Sequence, residues 1–229
     1  GVDLEAYIAG VLPSEMPSYW PLEALKVQAV VARSYGMSKM GSHNAEGYDV
    51  CDEVHCEAYN GVGGETQKTN QAVRETAGMV LKAGGKVLSA VFSAQCGGCT
   101  QDYGEAWGGY DLPVVGVKDF DSKANPGAEF PMTPARLERW IKHEPVAHCN
   151  TPGLKGYRNF RWAFTVSAGD LEAKAPMIGK LKRISVTRRS KAGWVTRLVL
   201  IGDHGEKEYK GDAVRSILGI FLFTGDDSD

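Results

Sequence analysis

Apolar and polar positions change period several times along this chain, and each change marks an element. Asp3 can cap a first helix from Leu4 to about Val11, beyond which Pro13 has no N–H to continue it. Pro21 suits the first turn of a second helix that runs to about Met40, ahead of Gly41. Leu22, Leu25, Ala29, Ala32 and Gly36 share one face of it, and Val27, Val30 and Val31 make the other side apolar too. Such a helix is expected to be buried centrally. Thr66 to about Ala77 reads as a polar helix ended by Gly78. Met79 to Ala83 and Lys86 to Ala94 read as strands, joined by the hairpin signal Gly84-Gly85.

Further on, Thr133-Pro134 starts a helix through about His143, and Asn150 to Asn159 reads as a loop. Strand character resumes from Phe160 to Val166, and Gly169-Asp170-Leu171 opens a short helix. A meander follows over Leu181 to Arg188, Trp194 to Ile201 and Glu206 to Lys210. Asp212 is placed to cap a closing helix that Gly219 ends, and the acidic tail Asp226 to Asp229 frays. Helices and hairpins without regular βαβ alternation indicate α+β, with a buried central helix, mixed but largely antiparallel sheets and a groove between two lobes. One domain over residues 1–229 is expected, with a variable insertion near 118–159.

Composition then narrows the function classes. The 229 residues are 43% hydrophobic and carry a formal charge of −2, enough apolar content for a sizeable core and no basic excess for nucleic acid. The one basic cluster, Lys180, Lys182, Arg183, Arg188, Arg189 and Lys191, reads as a solvated strand face and turn. No apolar run approaches the roughly 18–20 residues that span a bilayer. Gly1 stands where a start methionine would, and the expectation is an exported, envelope-facing protein whose signal or anchor lies outside these residues.

Glu15 is the candidate with the sharpest chemistry. It lies in Leu12-Pro13-Ser14-Glu15-Met16-Pro17, between two prolines and near Met16, Tyr19 and Trp20. A carboxyl group drawn partly out of water keeps its proton to higher pH and can then protonate a leaving group. The plainer role is a surface glutamate at a helix start, stabilised by the macrodipole. Gln28 and Arg33 interrupt the apolar surface of the second helix, as hydrogen-bond anchors or as groove residues. Gly97 and Gly98 allow a close backbone approach, and Trp107 and Tyr110, in a glycine-rich loop from Gly104 to Gly109, can stack on sugar rings or plug a core.

Five cysteines are unevenly spread: Cys51 and Cys56 bracket His55, Cys96 and Cys99 form a C-x-x-C, and Cys149 follows His148. Cys51, His55, Cys56, Cys96 and Cys99 together suit a structural zinc ion, because soft thiolates and imidazole favour it. Pairing Cys51 with Cys56, or Cys56 with Cys96, as disulfides is the alternative for an exported protein, and free buried thiols are a third.

The segment Tyr7-Ile8-Ala9-Gly10-Val11-Leu12-Pro13-Ser14-Glu15-Met16-Pro17, with the run Pro21 to Tyr35, resembles the opening of the stage II sporulation protein D and amidase-enhancer LytB family. Tyr59-Asn60-Gly61, Phe92 to Gly98, Phe160-Arg161-Trp162 and Gly211 to Gly219 extend the resemblance along most of the chain. It implies a lytic transglycosylase that cleaves peptide-stripped peptidoglycan strands and leaves anhydro-muramoyl ends, with Glu15 as the acid. Ser14, Gln28, Arg33, Tyr35, Ser93, Trp107 and Tyr110 are then supporting sugar-binding candidates. No cofactor is needed for that chemistry, and a cell-wall amidase is a candidate partner. A non-catalytic wall-binding module that stimulates an amidase is the rival. Ordinary glycoside hydrolysis uses two carboxylates, and no acidic partner for Glu15 is visible nearby in the sequence.

Overall fold

A computed structural model describes residues 1–53, 55–107, 114–125, 129, 131–153 and 160–219. The chain divides into two compact units, residues 1–93 and 94–229. Both fit the α+β class, and neither contains a parallel strand pair among the described residues.

In the first unit, α1 (Leu4–Glu15), α2 (Leu22–Lys39) and α3 (Gln67–Glu75) enclose Ile8, Val11, Leu12, Leu25, Ala29, Ala32, Ala72 and Val73. Asp3 caps α1 as expected, its carboxylate accepting from the Glu5 N–H at 2.9 Å. The helix does not stop near Val11: it continues through Pro13 to Glu15. A proline in the last turn forfeits only one backbone bond, and the Met16 N–H still reaches the Leu12 carbonyl at 3.0 Å.

The second helix is buried on one side rather than all round. Leu25, Gln28, Ala29, Ala32, Arg33 and Gly36 face inward, whereas Val27 is 64% exposed. Arg33 is the largest fully buried side chain. Its Nε and Nη2 donate to the two carboxylate oxygens of Glu5 at 2.9 and 2.7 Å, and its Nη1 donates to the carbonyls of Ala29 and Met79. Glu5 also accepts the Gly78 N–H at 3.0 Å, so a single ion pair joins α1, α2 and the chain leaving α3.

The hairpin β1 (Lys82–Ala83) and β2 (Lys86–Val87) turns at Gly84 and Gly85, both at positive φ, but it is far shorter than its apolar run. No third described strand pairs with it, and an isolated ribbon gains little by lengthening.

The second unit contains α4 (Tyr103–Trp107), α5 (Pro134–Lys142), α6 (Ala168–Lys174), α7 (Asp212–Leu218) and an antiparallel meander of β3 (Leu181–Arg189), β4 (Val195–Gly202) and β5 (Glu206–Lys210). Thr196, Leu198 and Leu200 of β4 alternate inward, and the two leucines pack on Leu171, Ile178, Val214 and Ile217. The basic face of β3 is mostly exposed, as its sequence indicated. Residues 160–166 form no strand: they have no ladder partner among the described residues, and Trp162 and Phe164 are 50% and 46% exposed. Asp212 is the first helical residue of α7 rather than its cap, which is Gly211. The acidic tail lies outside the described residues, and no described helix is long and apolar enough to cross a membrane.

Removing one partner of a buried ion pair leaves the other charge uncompensated, at a cost of about 3–5 kcal/mol. Glu5→Ala should therefore lower the denaturant midpoint strongly. Lys26→Ala, which removes ion pairs to Glu23 and Glu75 at the surface, should barely move it, because solvent screens exposed pairs. Chemical unfolding curves of the two variants side by side check the contrast.

Candidate active site and thiol clusters

Glu15 is the last residue of α1 and is half-buried. A helix C-terminus is the negative end of the macrodipole and disfavours a carboxylate, so the expected capping role does not apply. Burial raises the Glu15 pKa above the usual carboxylate value, and the Ala58 N–H, donating to Oε1 at 3.1 Å, partly offsets that. After Glu15 the chain turns between Pro17 and Pro21, and the Lys68 ammonium holds this turn by donating to the carbonyls of Tyr19 and Trp20. Tyr19 is 69% exposed beside it.

A second carboxyl group lies behind the first. Glu57 is 2% exposed, and the buried Tyr7 phenol is the polar group beside its carboxyl. Burial, with the neighbouring Glu15 charge adding to it, pushes Glu57 up to about 8. The space around it is closed: a Cβ at Gly36 of α2 would lie 3.0 Å from Glu57 Oε2 and 3.3 Å from the Tyr7 ring. Tyr7 stacks on Tyr59 at 5.5 Å, and its phenol is pushed well up by burial and then by Glu57. Gly10 is required under that stack, since a Cβ there would collide with the Tyr59 ring. Sequence reasoning missed Glu57 because nothing in the order of residues brings position 57 to the end of α1.

The predicted sugar contacts fare unevenly. Arg33 is sealed in the core as an anchor and cannot line a groove. Gln28 is likewise buried, with Nε2 lacking a partner. Ser14 turns back to the Gly10 carbonyl at 3.5 Å. Tyr35 is half-buried, edge-on to Phe92, with the Lys39 ammonium over its ring. Ser93 is exposed at the end of the first unit, and Trp107, 41% exposed, sits on the short helix α4 rather than in a loop. Tyr110 lies outside the described residues.

The five proposed metal ligands divide into two groups, and all five thiols are free. Cys51, His55 and Cys56 meet His43, a donor the spacing had not flagged, with all four ligand atoms within 4.8 Å of one another. Cys56 Sγ lies 3.5 Å from His43 Nε2 and 3.6 Å from His55 Nδ1, and Cys51 Sγ lies 3.7 Å from His55 Nδ1. Two sulfurs and two imidazoles converging this way fit a tetrahedral zinc ion. His43 also stacks on Tyr48, and its Nδ1 is 3.7 Å from Glu46, an outer partner that would orient the ring. Cys96 meets Asp119 and Cys149 instead, and Cys99 is buried. The first group ends at Cys56, directly before the two residues that contact or back Glu15.

Residues 1–82 match the SpoIID stage II sporulation protein family. The amidase enhancer of Bacillus subtilis (strain 168) is 38% identical over 112 residues, 49% of this chain and 15% of that protein. An uncharacterized protein of Brachyspira hyodysenteriae is 40% identical over 116 residues, 50% of this chain and 31% of that protein. Stage II sporulation protein D of Bacillus subtilis is 31% identical over 121 residues, 46% of this chain and 35% of that protein. The chain thus spans between 15% and 35% of the length of these relatives. Glu15, Glu57 and the four-donor cluster all lie within the residues that match that family.

Proposed function

We propose that this chain is a lytic transglycosylase of the cell envelope, cleaving peptide-stripped peptidoglycan strands with Glu15 as its acid and base. The observation that carries this reading is the environment of Glu15: a carboxyl half out of water, at the wrong end of a helix for a structural role, and steadied by one backbone N–H. Protonated Glu15 gives its proton to the glycosidic oxygen as the C–O bond to the muramoyl anomeric carbon breaks. The 6-hydroxyl oxygen of the same sugar bonds to that carbon, and its proton returns to the Glu15 carboxylate. The ring closure is intramolecular, so proximity supplies what a water-activating residue otherwise would. Glu57 does not fill the second carboxylate's place in ordinary hydrolysis, because at 2% exposure it can reach neither water nor sugar.

The pair loses its protons in order. Glu15 ionises first, and its charge then helps to hold the proton on Glu57. The neutral Glu57 leaves Glu15 the single charge that changes during turnover. The His43, Cys51, His55 and Cys56 set is read as a structural zinc site that fixes the segment presenting the Ala58 N–H. A second reading is a wall-binding module that stimulates an amidase, favoured by the similarity to the amidase enhancer.

Glu15→Gln should keep the fold and retention on purified glycan strands, and lower cleavage by about 10²–10⁴-fold or more. Mass spectrometry of anhydro-ended fragments reads the loss. Full cleavage by the folded variant discards Glu15 as the acid, and binding without cleavage by the wild-type chain selects the module.

Glu57→Gln should raise stability in a pH-dependent way. Between the ordinary 4.5 and about 8 the unfolded chain has released this proton while the folded chain keeps it. Stability therefore falls as pH rises through that window and levels off above it. The variant should melt like wild type below about pH 4.5 and gain on the order of 3–5 kcal/mol by pH 8. Thermal melts across that range test it.

Cys51→Ser with Cys56→Ser should remove about one zinc equivalent and weaken cleavage without touching Glu15. Elemental analysis alongside the fragment assay checks both.

A further inference from the structure

The second unit holds a group of soft donors that the chemistry at Glu15 does not use. Cys96 Sγ lies 3.5 Å from Cys149 Sγ and 3.4 Å from Asp119 Oδ2, and the three ligand atoms all fall within 4.8 Å of one another. They come from separate stretches of chain whose backbones are bonded together. The Asp119 N–H donates to the Gly98 carbonyl at 2.9 Å, the His148 N–H to the Asp119 carbonyl at 2.9 Å, and the Cys149 N–H to Asp119 Oδ2 at 3.0 Å.

The loop between Cys96 and Cys99 is built for this shape. Gly97 and Gly98 stand at φ 65° and 94°, and a Cβ on Gly98 would lie 2.5 Å from Trp140. The Gly97 carbonyl accepts from Trp140 Nε1 at 3.1 Å and Arg161 Nη1 at 3.2 Å. The donors rest on an apolar cluster of Cys99, Phe120, Trp140 and Phe160. Three groups able to become anions, gathered at the edge of such a cluster, favour a cation among them over three separate charges.

We infer that Cys96, Asp119 and Cys149 form a second metal site in this chain, for a divalent ion of the zinc class. Around a tetrahedral zinc ion with Zn–S of about 2.3 Å and Zn–O of about 2.0–2.2 Å, sulfur–sulfur edges are roughly 3.8 Å and sulfur–oxygen edges roughly 3.5 Å. The observed separations are close to those edges before any ion draws the ligands in. Two thiolates select a soft or borderline ion over magnesium or calcium. The Cys149 N–H donates to Asp119 Oδ2, the same oxygen that faces Cys96, and so fixes the direction in which the carboxylate points. Three protein donors leave the fourth position to water.

The test uses the whole chain, untagged, reduced and incubated with zinc. The wild type should hold about two zinc ions, the Cys51→Ser/Cys56→Ser chain about one, and the same chain with Cys149→Ser none. Asp119→Asn in the two-serine background, a gentler change, should retain the fold by circular dichroism and bind zinc at least about tenfold more weakly. Cobalt substitution should give a thiolate charge-transfer band in the two-serine chain that Cys149→Ser abolishes. A folded two-serine chain that binds no zinc overturns the site, as does a Cys96–Cys149 disulfide found by peptide mapping of protein isolated without reductant. Neither result bears on glycan cleavage, which is read separately.

Discussion

A guanidinium with no exposure to water organises the first unit. Arg33 cannot shed its charge, so every donor it carries into the core must find an acceptor, and the Glu5 carboxylate supplies two of them. Glu5 is in the first turn of α1 and Arg33 in the middle of α2, so the pair sets how the two helices lie against each other. The third donor reaches the carbonyl of Met79, and Glu5 also takes the Gly78 N–H, which brings in the chain after α3. Leu12 and Ile8 pack on Leu25 and Ala29 within that frame. Glu15 is at the far end of the same α1, so its position is inherited from the ion pair.

What surrounds Glu15 is a gradient of water access. Glu15 itself is half-buried, Glu57 behind it is sealed, and Tyr7 and Tyr59 close the back. Desolvation raises both acids, more so the deeper one, and the nearby charge of the shallower acid adds to the deeper acid's shift. The segment that supplies both Glu57 and the Ala58 N–H has no helix or strand of its own to hold it. It is held by Tyr59 against Gly10, by the Asn60 N–H on the Gly10 carbonyl at 3.3 Å, and at its other end by the convergence of His43, Cys51, His55 and Cys56. Four side chains from separate positions thus meet at that end of a stretch that has no regular structure of its own.

Elements with a strong local cause were legible from residue order. Asp3, Thr66 and Thr133 cap helices with their own side chains, and the three strands of the meander form within a residue of where the order of residues places them. Elements that depend on a distant partner were not. Residues 160–166 have the composition of a strand but no ladder to join, and the hairpin after α3 stays short for the same reason. Pro13 argued for an early stop to α1, yet a last-turn proline is cheap when Leu12 and Val11 are gripped by the core.

The candidate site divides along the same line. Local order alone singled out Glu15, bracketed it with Pro13 and Pro17, and grouped Cys51, His55 and Cys56 as donors, because these signals span only a few residues. Tertiary structure decided that Arg33 is an anchor, that Glu57 stands behind Glu15, that His43 completes the first donor set, and that Cys96 meets Asp119 and Cys149 rather than Cys51. The physical reason is range: capping, proline strain and donor spacing act within a turn or two of chain. Desolvation and charge pairing depend on which residues the packed core brings together.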